Sequence, residues 1–175
     1  MNLIDWKILN KKVDILKEKY EIYRSQNSVN KIELREIILD VLSWTEICIK
    51  DDKFSSNSSL ISGFRYINNK KKHTDKIYTY TFNVIGLFPG DNVFPSLRYP
   101  SDFKITWCKV DEESDPKWYD QWKNYQNNLE NKDVLKTIDL LLNILKEHYE
   151  LKWIYQKLSM TCLSNTYKNY KSSCI

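Results

Sequence analysis

The sequence predicts a mainly α fold: a helical bundle of four to five helices with a small antiparallel β-hairpin inserted between the third and fourth helices. Three observations carry that expectation. Apolar residues recur at steps of three and four through two long N-terminal stretches and again after residue 134, the period of helices with one buried face. Between about residues 76 and 110 the period drops to two, as in half-buried strands. No unit of fixed length repeats, so a solenoid is disfavoured.

Trp6, Leu9, Val13, Leu16, Tyr20 and Tyr23 lie on one stripe of a first helix that runs through about Arg24, with Lys, Glu and Asp opposite. Ser25 to Asn30 is polar turn material. Leu34, Ile37, Ile38, Val41, Leu42, Thr45 and Cys48 then repeat the pattern to about Lys50, and the two stripes suit an antiparallel pair devoted to packing. Asp51 to Ser59 is a charged, serine-rich connection whose serines offer N-caps for a third helix starting near Ser58 or Ser59. Leu60, Phe64 and Ile67 supply its buried stripe. Arg65, Asn68, Asn69, Lys70, Lys71, Lys72 and His73 are expected to form a compact, exposed, cationic and amide-rich surface on its last two turns.

Tyr78, Tyr80, Phe82 and Val84 alternate with polar residues, and so do Phe103, Ile105 and Trp107, which predicts an antiparallel hairpin across a long connection containing the turn signal Pro89-Gly90-Asp91-Asn92. Asp115-Pro116 reads as an N-cap followed by proline at the first helical position, where its missing N–H is harmless. Trp118, Trp122 and Tyr125 share a face of that helix, and Asn127, Asn128 and Asn131 mark its end. Val134, Ile138, Leu141, Leu142, Leu145 and Tyr149 form a further amphipathic stripe that continues or kinks through Leu151, Ile154 and Leu158. One helical domain over residues 1–163, with the hairpin at about 76–110, is followed by a polar tail over 164–175.

Composition narrows the functional classes. The 175 residues include only Gly63, Gly86 and Gly90, too few for a Rossmann fingerprint or a P-loop. Alanine is absent and Asn, Lys, Ile and Tyr abound, a bias that suits an AT-rich genome. A net charge of +4 permits RNA binding without requiring it. The N-terminus lacks a charged leader followed by an apolar run, and no stretch is apolar enough to span a bilayer, so a cytoplasmic protein is expected. Cys48, Cys108, Cys162 and Cys174 are far apart and only two histidines occur, which favours reduced thiols and no metal site or cofactor. His148 reads as a packed histidine. Tyr167, Lys168, Tyr170 and Lys171 interleave aromatics with cations but fit a polar tail equally.

The stretch from Gly63 to His73 resembles the signature helix of the HEPN superfamily, small helical domains of bacterial toxin–antitoxin, abortive-infection and antiviral systems. Many are metal-independent ribonucleases carrying Arg, a polar residue, three variable residues and His. Aligned on His73, the polar position falls on Asn69, whereas the arginine position falls on Asn68 and Arg65 stands one turn upstream. The inserted hairpin is a further departure. The resemblance implies an endoribonuclease acting on cytosolic RNA, with His73, Arg65 and Asn69 catalytic and Asn68, Lys70, Lys71 and Lys72 holding RNA. It also implies a homodimer with a composite site, and an antitoxin or other defence protein as partner.

The residues themselves allow that chemistry. Arg65, Asn69 and His73 are spaced four and four, on one side of a helix and about 12 Å from end to end. An imidazole with a pKa of about 6.5 can take a proton from a ribose 2′-hydroxyl or give one to a leaving 5′-oxygen. A guanidinium can hold phosphate oxygens in a bidentate grip. The same residues also read as an ordinary helix end, where cations suit the dipole and His73 suits a cap. A non-catalytic helical module that binds RNA or a protein through this basic end is thus the alternative function.

Overall fold

The computed structural model describes residues 3–50, 58–72, 77–83, 102–111, 113 and 115–149. Along them lie α1 (Leu3–Gln26), α2 (Lys31–Ile49), α3 (Ser59–Lys70), β1 (Tyr78–Asn83), β2 (Asp102–Trp107) and α4 (Pro116–Asn128). A further helical run covers 134–149. The fold is mainly helical, with the antiparallel hairpin between the third and fourth helices where the change of period put it. The chain divides into two compact units, Met1–Leu141 and Leu142–Ile175, and every contact that shapes the candidate site lies in the first. Val84, the Pro89–Asn92 turn, the boundary near residue 163 and the polar tail fall outside the described residues.

α1 ends beside Asn27, whose φ of 50° is a left-handed conformation that asparagine tolerates. Asn30 then caps α2, its side chain accepting from the Glu33 N–H at 3.3 Å. Lys12 pairs with Asp40 at 2.8 Å, and seven residues later in α1 Lys19 pairs with Glu33, seven residues earlier in α2. The opposite progress makes the two helices antiparallel. Leu9, Val13, Leu16 and Tyr23 are buried, as are Leu34, Ile38, Val41, Leu42, Thr45 and Cys48. The Tyr20 hydroxyl donates to the Phe103 carbonyl and so ties α1 to the hairpin.

Ser58 caps α3 by accepting from the Ile61 N–H at 3.4 Å. The buried face of α3 is wider than the expected stripe. It comprises Ile61, Gly63, Phe64, Tyr66, Ile67 and Asn68, whereas Leu60 is only half-buried. The reason is that α3 packs against both α2 and α4. A Cβ at position 63 would stand 3.2 Å from the Asn124 carbonyl oxygen, the Tyr125 Cα and the Leu129 side chain. The bare hydrogen of Gly63 therefore sets how closely the α4 backbone approaches. Asn124 Nδ2 donates to Ser62 Oγ at 3.1 Å across the same contact, and the Tyr66 and Tyr125 rings pack with centroids 5.5 Å apart. Asp115 caps α4 by accepting from the Lys117 N–H at 2.9 Å, with Pro116 at its start.

In the hairpin, Tyr78 pairs with Trp107 and Phe82 with Phe103, whose rings stack at 4.8 Å. Phe103, Ile105 and Trp107 are buried. Trp107 meets Phe64 edge-on at 6.0 Å and donates its indole N–H to Thr137 Oγ1 at 2.8 Å. Its backbone is held by the connection after α4: the Trp107 N–H donates to the Lys132 carbonyl at 3.1 Å and the Trp107 carbonyl accepts from the Asn131 N–H at 3.0 Å. That connection turns at Asn131, with φ of 58°. Trp107 thus joins α3, the hairpin and the start of the 134–149 run.

Replacing Gly63 by valine puts three carbons where α4 leaves no room. Gly63→Val is expected to lower the free energy of unfolding by about 1–3 kcal/mol. A urea titration should show an earlier midpoint with an unchanged slope.

Candidate functional site

The C-terminal half of α3 faces a cleft of about 260 Å³ lined by Glu46 and Ile49 of α2, Arg65, Asn68 and Asn69 of α3, and Gln121 of α4. The exposed Lys50 completes the lining. Positions 65, 68 and 69 share a helix face because they are spaced by three and four. The last turn of α2 and the middle of α4 are brought to that face by the packing of both helices on α3.

Arg65 is half-buried and donates from Nη2 to the Ile49 carbonyl at 3.0 Å. That carbonyl belongs to the end of α2, where backbone acceptors lack helical partners and the dipole favours a cation. A guanidinium has five N–H donors, so the anchor at Ile49 leaves others for a ligand. Asn69, half-buried, lines the same cleft.

Asn68 departs from the exposed surface expected of it. It is 1% exposed, and neither its Nδ2 nor its Oδ1 has a hydrogen-bond partner. Burial follows from helix geometry: Asn68 stands four residues after Phe64 and seven after Ile61, so it continues their stripe between α2 and α4. That spacing was a readable signal, masked by the residue's polarity. Nothing in the sequence marks Gln121. Its Oε1 is also buried without a partner, and only the packing of α4 on α3 brings it to the cleft.

The run Lys70 to Lys72 is not an uncompensated cationic surface. Lys70 Nζ lies 3.0 Å from Glu113, which also accepts from the Tyr66 hydroxyl at 3.2 Å. Lys71 and Lys72 both reach Glu46, each at 3.3 Å. Lys71 also donates to Ser43 Oγ at 3.3 Å. Three ammonium groups thus face two carboxylates, with Arg65 and Lys50 adding positive charge at the cleft. Burial opposes the charge on Glu46, but hydrogen bonds and attraction from Lys72 and Lys71 outweigh it and hold the carboxyl below its ordinary range. Glu113 is lowered by its bond to Lys70 and by the Asp115 N–H. Lys70 is raised by Glu113, whereas Lys71 is lowered by burial despite Glu46.

His73 lies outside the described residues. Arg65, Asn68 and Asn69 are brought together; Lys70, Lys71 and Lys72 are turned to carboxylate partners on α2 and ahead of α4. Compared with protein-family models, curated proteins and solved structures, the chain matches none.

Among the described residues, no group of three or more His, Cys, Asp or Glu is placed to hold a metal ion, and no helix is long and apolar enough to cross a membrane. Cys48 and Cys108 are not disulfide-bonded. Burial, with a smaller contribution from the charge of Asp5, pushes the Cys48 thiol up to about 12, which leaves it unreactive. Cys162 and Cys174 lie outside the described residues. In the second unit, His148 meets the Tyr149 ring edge-on at 5.6 Å.

The carboxylate partners make stability depend on pH. Glu46 and Glu113 have lower pKa values folded than their ordinary 4.5. Their contribution is therefore present above that value and is lost as pH falls through the lowered folded values. The urea midpoint should hold at neutral pH and fall between about pH 5 and pH 3. Glu46→Gln should make that fall shallower, by a modest amount because the pairs are partly exposed.

Proposed function

We propose that this chain binds single-stranded RNA through the cleft where α2, α3 and α4 meet. The observation that carries the reading is the convergence of Arg65, Asn68 and Asn69 on one polar cleft bordered by an excess of cations. Each group matches a part of a nucleotide. A guanidinium grips phosphate oxygens, amides read base edges, and clustered lysines draw in the polyanion with release of its counterions. A cleft of about 260 Å³ suits one unstacked base with its phosphate, the form in which RNA sequence is usually read.

In this reading Glu46 works against binding, because it holds Lys71 and Lys72. Fluorescence anisotropy with a labelled single-stranded RNA at several salt concentrations tests the assignment. Arg65→Ala is expected to weaken binding, and Lys71→Ala with Lys72→Ala to weaken it and flatten the salt dependence by up to about two phosphate contacts. Glu46→Gln is expected to strengthen binding. Absence of RNA binding by the folded wild type, or an Arg65→Ala variant that binds as tightly, would reject the site.

Cleavage is a second reading, favoured by one observation: Arg65 and Asn69 line the same cleft, and His73 follows in the sequence at the same interval of four. A metal-independent HEPN-type endoribonuclease of a defence or toxin–antitoxin system would use the His73 imidazole to move the proton between the 2′-hydroxyl and the leaving 5′-oxygen. Each chain brings one such histidine, so two copies would complete the acid and base pair. His73→Ala should then reduce RNA cleavage by roughly 100-fold or more, with activity surviving EDTA and light scattering returning a dimer. RNA bound and left intact by the wild type would end this second reading and leave the first in place.

A further inference from the structure

We propose that the cleft is a base pocket selective for purines over uracil, its selectivity set by the side chains of Asn68 and Gln121; the inference rests on the RNA-binding reading above. Buried polar groups are as a rule hydrogen-bonded. Here the donor Nδ2 and acceptor Oδ1 of Asn68, together with the acceptor Oε1 of Gln121, are all buried without partners, and both residues line the same cleft. Asn68 is 1% exposed and lies in the body of α3, between helices packed on either side. An apolar side chain of similar size would fill that position without leaving an amide unsatisfied. The unmet groups are those of a binding site.

The unmet set is two acceptors and one amide donor. Adenine supplies its complement: the two N–H bonds of its exocyclic amino group, and beside them a ring nitrogen that accepts. Asparagine's amide pairs in this two-bond way with adenine, Oδ1 accepting from the amino group while Nδ2 donates to the ring nitrogen. The second amino hydrogen is left for Gln121 Oε1. Uracil presents the reverse, two carbonyl acceptors flanking one N–H, and would set a carbonyl against an acceptor of the pocket. Cytosine has adenine's pattern on a smaller ring that fills less of the roughly 260 Å³ available. Guanine also complements the set: its O6 accepts from Nδ2 while its N1–H and amino N–H donate to Oδ1 and Oε1, so the pocket admits either purine. Ile49 offers an apolar surface, and Arg65 is placed to meet the adjoining phosphate. The amide atoms of Asn68 are screened from solvent, so pairing requires a turn about the terminal torsion of the side chain, which is broad for asparagine.

The test compares labelled RNA pentamers identical except for one central base, titrated against the full chain. The wild type is expected to prefer adenine to uracil by roughly tenfold, and to lose that preference when the adenine is N6,N6-dimethylated and has no amino hydrogens. Asn68→Leu should abolish the preference, weakening the adenine RNA more than the uracil RNA. Its thermal transition should be unchanged or raised, since a buried unsatisfied amide is removed. If Asn68→Leu does not fold, Gln121→Leu on half-buried α4 surface carries the same expectation of a reduced preference. RNA bound with no preference for a purine over uracil, or with cytosine favoured over both purines, overturns the inference and leaves the RNA-binding reading intact. So does an Asn68→Leu protein that is more stable yet equally selective, which would make the amide a structural feature only. No RNA bound at all overturns both.

Discussion

The approach of α3 to α4 at Gly63 is the constraint on which the candidate site depends. Two backbone atoms of α4 and the side chain of Leu129 just beyond it stand so near position 63 that a Cβ would meet all three at 3.2 Å. With the helices this close, Tyr66 packs on Tyr125 and Ser62 accepts from Asn124. Further along the same face, Gln121 reaches the cleft beside Asn68. α2 closes the other side through the bond from Arg65 to its last turn. A looser crossing would open the buried amides to water, and they would carry no information about a ligand.

Electrostatics at the end of α3 show why a charge run is a poor guide to a free surface. Lys70, Lys71 and Lys72 are consecutive, yet each is matched to a carboxylate from another part of the chain. These pairs are partly exposed, so their individual contributions to stability are small. Their larger effect is on the potential near the cleft. Glu46 lowers it where a polyanion would bind, while Arg65 and Lys50 raise it. The balance is positive but moderate.

Much of the fold was legible in the sequence because its elements are signalled locally. The stripes of α1 and α2, the Asp115-Pro116 start of α4 and the alternation of Phe103, Ile105 and Trp107 each follow from backbone geometry and one buried face. The candidate site was legible in part. Arg65 and Asn69 stood out by chemistry and spacing, and both line the cleft. Asn68 reads as exposed because its polarity masks its place in the stripe of Ile61 and Phe64. Gln121 gave no signal, since nothing local distinguishes it on a helix rich in polar residues.

By itself, then, the sequence determined the period and therefore the type of each element, because helix and strand patterns are properties of short segments. It also determined which charges and amides the chain has available. Only the tertiary structure decided which of them meet. Glu46 and Glu113 find the lysines across 25 to 43 positions of chain, Gln121 finds Asn68 across 53, and Asn68 loses its water to helices on both sides. Such encounters depend on how closely helices pack, and that distance was set by the absence of a side chain at one residue, Gly63.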